Sequence, residues 1–176
     1  MIDAREIIVR YDFLLILSLF QSTVLYELFT PLTLYPVLWI VKLFVSARIL
    51  PLTATIETSS IIFSLVPACI AGSAYYLLMV LNLTTPMSLQ QRWKSLLFII
   101  GLFFSFNVFR IIFFVFLFSS GVSFAEPLHL VVWYCASIFL VVAIWFANVA
   151  LFKIDSLPVI EDILELWSAA NGQKDS

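Results

Sequence analysis

The amino-acid sequence predicts an all-α protein, a polytopic helix bundle that crosses a membrane about five times. Of its 176 residues, 63% are hydrophobic and 11% are charged, whereas a soluble domain carries roughly a quarter charged residues. The chain therefore cannot cover itself with polar surface, and its apolar helices need lipid around them. Its 18 Phe and 5 Trp are typical of a lipid-facing surface with interfacial anchors.

Two apolar segments come first, at residues 13–26 and 38–50, and each reaches spanning length only with its flanks. Pro31 and Pro36 predict a turn between them, because proline disfavours helical conformation in the residue before it. The N-terminus lacks the pattern of a cleaved signal peptide, so none is expected.

A stretch rich in Thr, Ser and β-branched residues follows, at residues 50–66. Residues 53–57 and 61–66 could pair as a hairpin, and a simple polar loop is the alternative. Because open strand edges are not tolerated in hydrocarbon, we expect this stretch on the extracytoplasmic surface of the membrane.

Three more spanning helices and one surface helix complete the prediction. Pro67 suits the first turn of the third span, where its missing N–H costs little. A single apolar face with acidic flanks indicates a helix lying on the membrane near the C-terminus. The predicted helices are residues 67–83, 95–118, 128–152 and, on the surface, 158–167.

The loop charges predict the orientation. Arg92, Lys94 and Lys153 are cytoplasmic by the positive-inside rule, which leaves Glu126 outside. Five spans with a cytoplasmic C-terminus put the N-terminus outside, although its two arginines favour the inside. Either the rule is overridden here or one early segment does not cross.

Three chemically distinctive side chains are predicted to meet near the outer face. Cys69 and His129, the only histidine, open the third and fifth spans. Arg110 lies nine residues before Ser119, or about 13 Å deeper, and its long side chain can extend towards the surface. An arginine at the centre of a membrane helix costs about 2.5–3.5 kcal/mol or more, which indicates a function.

Each member of this trio has a structural alternative. Arg110 could neutralise Glu126, with Asn107 one turn earlier as a hydrogen-bond partner. Cys69 could be a small buried hydrophobe, and His129 an interfacial residue at a helix end. Packing or interface roles are predicted for four further residues: Cys135, Tyr75, Tyr76 and Trp133.

The trio suits acyl transfer. A helix N-terminus and a nearby cation both favour the thiolate of Cys69, which could attack a peptide carbonyl. His129 would move the proton, and Arg110 would stabilise the oxyanion or orient the substrate. One His and two separated Cys provide no zinc site, and no phosphate-binding glycine loop appears, so no cofactor is expected. The net charge of −2 argues against a nucleic-acid partner.

Four sequence motifs surround these residues: Pro67-Ala-Cys-Ile-Ala-Gly-Ser-Ala-Tyr-Tyr76, Leu81-Asn-Leu-Thr-Thr-Pro86, Asn107-Val-Phe-Arg110-Ile, and His129. In combination they resemble the archaeosortase/exosortase family, most closely its short archaeal members of the pacearchaeosortase type. The resemblance covers residues 40–154. Many members have glycine two residues after the cysteine, where this chain has Ala71, and other members carry arginine at the position of His129.

The resemblance implies a membrane cysteine transpeptidase with Cys69 as nucleophile and Arg110 and His129 completing the triad. Such proteins are regarded as cutting secreted proteins that end in a short motif, an apolar helix and a basic tail. They are believed to pass the product to a membrane lipid. The chain would then comprise a transmembrane catalytic domain, residues 1–155, and a cytoplasmic amphipathic helix with a polar tail, residues 156–176.

Two other functions remain open from the sequence. A cysteine processing protease would release its substrate to water without transfer. A membrane scaffold or transporter subunit would use Arg110 as a structural or ion-path charge.

Overall fold

The computed structural model describes residues 4–50, 53–58 and 61–154. Within them the chain is mostly helical, with one small antiparallel sheet. The predicted surface helix at residues 158–167 and the cytoplasmic domain at 156–176 lie outside the described residues.

The first helix, α1, runs without interruption from Ala4–Lys42 and contains both Pro31 and Pro36. The predicted turn between two early spans is therefore wrong, and so is the division into residues 13–26 and 38–50. Proline is tolerated inside membrane helices where neighbouring elements pack against the freed backbone groups. In α1 the proline region packs against the core through Leu34 and Val37.

The apolar pattern of α1 continues through the prolines with helical spacing. The core residues on this face are Leu25, Phe29, Leu34, Val37, Leu38 and Val41, all at most 6% exposed. With Thr33, which is also fully buried, spacings of three and four residues place them on one side of a helix. The burial of this continuous face favours one helix over two helices joined by a turn.

A three-stranded antiparallel sheet in the order β1-β2-β3 follows α1. Its strands are β1 (Ala47–Leu50), β2 (Thr55–Thr58) and β3 (Ile62–Ser64). β3 lies within its predicted hairpin segment, β2 extends one residue beyond the end of its own, and the two strands pair with Ile56 opposite Phe63. The sequence analysis placed residues 47–50 at the end of a membrane segment. In the structure these four residues form β1, at one edge of the sheet.

Arg48 and Glu57 face each other across β1 and β2. The guanidinium donates two hydrogen bonds to the carboxylate, from Nε to Oε2 at 2.8 Å and from Nη2 to Oε1 at 3.1 Å. These bonds lower the pKa of Glu57, so the stabilisation is present above the ordinary pKa and lost as pH falls through the lowered one. Because both side chains contact solvent, the pair contributes little to stability.

The remaining helices pack as α2 (Pro67–Ile70), α3 (Gly72–Thr84), α4 (Leu89–Ser119), α5 (Ala125–Val131) and α6 (Ser137–Phe152), with a π-helical turn at Val132–Ala136 before α6. Three of the predicted spans differ from the helices in the structure. The third span is broken at Ala71, the fourth begins six residues earlier than expected, and the fifth bends by 42° at the π-helical turn.

Consecutive long helices run antiparallel. The Tyr26 hydroxyl donates to the Leu65 carbonyl oxygen and the Tyr76 hydroxyl donates to the Leu14 carbonyl oxygen, which fixes α1 against α3. At the opposite end of the bundle from Cys69, Asn82 of α3 donates to Ser95 of α4. The start of α1 therefore lies at the same end of the bundle as the end of α6, where Gln91 donates to the Phe152 carbonyl oxygen.

Side chains at the start of α4 satisfy the last carbonyl groups of the neighbouring helices. Arg92 Nη1 donates to the carbonyl oxygens of Asn82 and Leu83, and Nη2 donates to that of Thr85, at 2.6, 3.0 and 3.1 Å. A cation that bonds terminal carbonyls is a common way to close a helix. Arg92 therefore closes the C-terminus of α3.

Three helices are long and apolar enough to cross a membrane, or four if the bent α5–α6 pair forms one span. They comprise Thr23–Lys42, Pro67–Thr84 and Leu89–Ser119, together with the pair Ala125–Cys135 and Ser137–Phe152. Five spans are not confirmed, because the first two predicted segments belong to α1. The described part of the chain is compatible with a multi-pass membrane protein.

Candidate functional site

Cys69 is the third residue of α2, directly after the sheet. Pro67 opens this helix, and the Cys69 backbone N–H donates to the Val66 carbonyl oxygen at 2.8 Å. A single turn carries little macrodipole, so α2 favours a thiolate less than the long helix predicted from the sequence. The Cys69 residue is buried, with 8% of its surface exposed.

The helix break at Ala71 frees the carbonyl group of Cys69 from the helical hydrogen-bond ladder. Two side chains of α4 bind this oxygen instead. Asn107 Nδ2 donates to it at 3.1 Å and Arg110 Nη2 donates at 3.3 Å. The structure thus brings Cys69 and Arg110 into contact across 41 positions of the chain.

Arg110 is held from two other sides. Its Nη2 donates to Asn107 Oδ1 at 3.0 Å, as predicted from the one-turn spacing. Its Nη1 donates to the Ser137 hydroxyl at 3.0 Å. Throughout the described residues Arg110 makes no ion pair, and Glu126 is exposed on α5. The interpretation of Arg110 as a counter-charge for Glu126 therefore gains no contact here.

Ala71 adopts a left-handed conformation, with φ 57° and ψ 42°. This conformation costs an L-residue roughly 1–2 kcal/mol, whereas glycine adopts it freely. The position is the one at which many members of the resembled family carry glycine. The strain places a weak point immediately beside Cys69, where α2 meets α3.

Replacing Ala71 by glycine should stabilise the protein, or leave it unchanged, because relief of the left-handed strain outweighs the added freedom of the unfolded chain, about 0.5–1 kcal/mol. Ala74→Gly is the matched control, since Ala74 lies in helical α3 and the change should destabilise by about 1 kcal/mol. Thermal unfolding in detergent measures both variants. A larger loss for Ala71→Gly than for Ala74→Gly would contradict the strained conformation.

His129 lies on α5, and its ring packs edge-on against Phe114, with ring centroids 4.8 Å apart, and beside Phe118 at 6.1 Å. It is close enough to Arg110 for their charges to interact. Among the described residues its ring makes no hydrogen bond. Cys69 and Arg110 are therefore joined by a hydrogen bond, whereas His129 is hydrogen-bonded to neither of them.

Tyr75 is fully buried in the core one turn after the Ala71 break. Its ring stacks on Phe29 at 3.9 Å and meets Phe103 edge-on at 4.7 Å, which supports the predicted packing role. Its hydroxyl has no hydrogen-bond partner among the described residues. It also lies within electrostatic range of Arg110, so one polar atom beside the site is left unsatisfied.

Two cavities lie near these residues, and Ser137 lines both. One, of about 300 Å³, lies against α2 and includes Pro67, Ala71 and Trp133. The other, of about 350 Å³, lies between α4 and the bent α5–α6 pair and includes Arg110 itself. Both sizes suit a small molecule or part of a larger ligand.

Sequence reasoning missed two features of this region and misassigned one. Ser137 had no motif to mark it, and Trp133 was expected only to pack, although it lines the cavity beside α2. Cys135 was predicted to pack, but its side chain is exposed on the π-helical turn. Apolar neighbours in the sequence do not predict burial in a membrane protein, because an apolar helix face can contact lipid as well as the protein core.

The described residues contain no group of three or more His, Cys, Asp or Glu that could hold a metal ion. The site instead offers a thiol beside two fixed hydrogen-bond donors. Such a set can attack a carbonyl carbon and bind the oxygen on which charge develops. Comparisons with protein-family models, with curated proteins and with solved structures find no match for this chain.

Proposed function

We propose that the protein is a membrane cysteine transpeptidase of the archaeosortase/exosortase kind. Its substrates are secreted proteins that end in a short motif, an apolar helix and a basic tail. The enzyme cleaves this signal at the outer membrane face and transfers the new C-terminus to a membrane lipid. A processing protease would carry out the same cleavage with water, instead of a lipid, as the final acceptor.

The reaction proceeds through a thioester. The Cys69 thiolate adds to the scissile carbonyl carbon, and the negative charge on its oxygen is stabilised by Arg110. The C–N bond then breaks, and the departing amine takes a proton supplied by His129. A hydroxyl or amine of the lipid attacks the thioester, gives its proton to His129, which is now deprotonated, and releases the thiolate.

The observation that carries this proposal is the contact between Cys69 and Arg110. A guanidinium without a carboxylate partner among the described residues is costly in a membrane protein. Its Nη2 donates to the backbone oxygen of the residue that bears the thiol, at 3.3 Å. A catalytic role beside the Cys69 nucleophile accounts for the presence of this energetically costly guanidinium.

A structural role for Arg110 is the second candidate, and one observation favours it. Arg110 and Asn107 satisfy the Cys69 carbonyl that the break at Ala71 leaves free, as Arg92 satisfies the carbonyls at the end of α3. Arg92 and Arg110 lie 18 residues apart, five full turns along α4, and so share one face. A scaffold protein could use both only to close helices.

Co-expression with a candidate substrate tests the proposed function. The chain is expressed with a secreted protein that carries the tripartite C-terminus, and the mature protein is weighed by mass spectrometry. A C-terminus shortened at the motif and heavier by a lipid supports transfer. A shortened C-terminus with a free carboxylate indicates the processing protease, and an unprocessed substrate contradicts both.

The orientation of the site can be tested with introduced cysteines. Counting the bent α5–α6 pair as one span gives four spans, an even number. Antiparallel α1, α3, α4 and α6 put both ends of the described chain on one side. The basic residues at that end are Arg5, Arg10, Arg92, Lys94 and Lys153. The positive-inside rule makes this side cytoplasmic, which removes the conflict over the N-terminal arginines.

In a Cys69→Ala/Cys135→Ala background, a cysteine at Ser123 should react with a membrane-impermeant thiol reagent on intact cells. Cysteines at Ser88 and Ala4 should react only after permeabilisation. Labelling of the Ala4 position from outside would contradict an even number of spans. Labelling of the Ser88 position from outside would place Cys69 on the cytoplasmic side and contradict a sorting function.

A further inference from the structure

The larger cavity, between α4 and the bent α5–α6 pair, opens on the surface that would face lipid. Phe106, Phe109 and Phe113 line it, and each is at least 44% exposed on the outside of α4. Val132 and Leu140 form the facing wall. We refer to this space as the phenylalanine cavity.

The phenylalanine cavity has a polar inner end. Asn107, Arg110 and Ser137 line it together with the aromatic wall, and they form one hydrogen-bonded group. Arg110 has no carboxylate partner in the part of the chain that the structure describes. A molecule that matched the whole cavity would therefore be apolar along most of its length and anionic at one end.

We propose that the phenylalanine cavity is a binding site for an anionic membrane lipid, with one hydrocarbon chain between the aromatic rings and its phosphate at Arg110. Within the described residues Arg110 Nη1 donates one hydrogen bond and Nε donates none, so the guanidinium retains donors for a phosphate. A lipid without a phosphate offers no such charged acceptor. The cavity of about 350 Å³ lies within the range of ligand sites and holds part of one chain.

This lipid site depends on the membrane location of the chain and not on Cys69 as a nucleophile. Ser137 also lines the cavity beside α2, so a lipid headgroup at Arg110 would lie next to a peptide bound there. If the transpeptidase function holds, the bound lipid stands where an acceptor is needed. If it fails, the lipid site remains testable by binding alone.

Photo-crosslinking of the purified full-length protein in detergent tests the proposal. The probe is phosphatidylglycerol with a diazirine in one acyl chain, and adducts are mapped by mass spectrometry. We expect adducts on the cavity residues of α4 and α6. Unlabelled phosphatidylglycerol should compete about tenfold better than diacylglycerol, which has the same acyl chains and no phosphate, since only the first can form a charged hydrogen bond with Arg110. Equal competition by both lipids would overturn the proposal without any variant.

Two variants locate the site. Leu140→Trp fills the cavity from its α6 wall, whereas Phe139→Trp alters the neighbouring residue, which is 74% exposed and does not line the cavity. Labelling should fall about tenfold in the first and remain unchanged in the second. Equal labelling in both would identify the adducts as general membrane lipid and contradict a specific site.

A third variant tests the headgroup. Arg110→Gln should abolish the preference for phosphatidylglycerol over diacylglycerol, because the phosphate that separates the two lipids would lose its cationic partner at the inner end of the cavity. Cys69→Ala should keep the full preference, since this lipid site does not involve the thiol. A preference that survives Arg110→Gln would show that the headgroup binds elsewhere.

Discussion

Replacement of Cys69 by alanine is expected to abolish substrate maturation while the protein still inserts and folds. Loss of a nucleophile removes the covalent route altogether, and in cysteine and serine enzymes this costs on the order of 10⁶ in rate. The change removes one sulfur from a small buried side chain, so the effect on stability should be modest. The mass of the substrate C-terminus, measured after co-expression, reports the loss.

Cys135→Ala provides the matched control. Cys135 is the second thiol of the chain and lies exposed on the π-helical turn, away from any hydrogen-bonded group of the site. Its replacement should leave maturation unchanged. If Cys69→Ala matures substrate at a rate near that of Cys135→Ala, the thiol has no catalytic role and the transpeptidase proposal fails.

The contact between Cys69 and Arg110 could be anticipated from the sequence, because membrane arginines are rare and loop charges indicate which helix ends share a side. Asn107 could be anticipated as well from its spacing. The detailed geometry could not. Arg110 binds the backbone oxygen of Cys69 only because the helix breaks at Ala71, and an alanine gives no signal for a left-handed residue.

The first two predicted spans show how a local rule can be outweighed. Pro31 and Pro36 favour a turn when considered alone, whereas the apolar residues from Leu25 to Val41 keep helical spacing across both prolines. Burial of that continuous face against the sheet and the neighbouring helices stabilises one helix. The helical periodicity is visible in the sequence, and here it predicts the structure better than the tendency of proline to favour a turn.

The sequence analysis did not identify β1 as a strand, again because a local signal did not decide the conformation. Its residues adjoin an apolar segment, and a four-residue strand is too short for alternation to be distinguished from a helix end. Pairing with β2, through partners that include Arg48 and Glu57, decides its conformation. Such pairing depends on residues five to eleven positions away and cannot be predicted from the strand itself.

Replacement of Arg110 by lysine is expected to slow substrate maturation about 10²–10³-fold, the cost of removing one fixed oxyanion donor. Lysine keeps the charge but lacks the planar pair of donors that now bind Ser137 and the Cys69 carbonyl. Insertion and folding should persist, because a positive charge still reaches the freed carbonyl.

Arg92→Lys is the matched control, since Arg92 lies on the same face of α4 and bonds helix-terminal carbonyls far from Cys69. If Arg110 only closes a helix, Arg92→Lys and Arg110→Lys should both lower the melting temperature slightly and leave maturation intact. If it instead balances Glu126, Glu126→Gln should be the damaging change. Full activity of Arg110→Lys would refute the catalytic assignment, because no oxyanion donor of fixed geometry would then be required. Slow maturation in Arg110→Lys alone, with normal folding of all three variants, would separate transition-state stabilisation from the capping role that both arginines share.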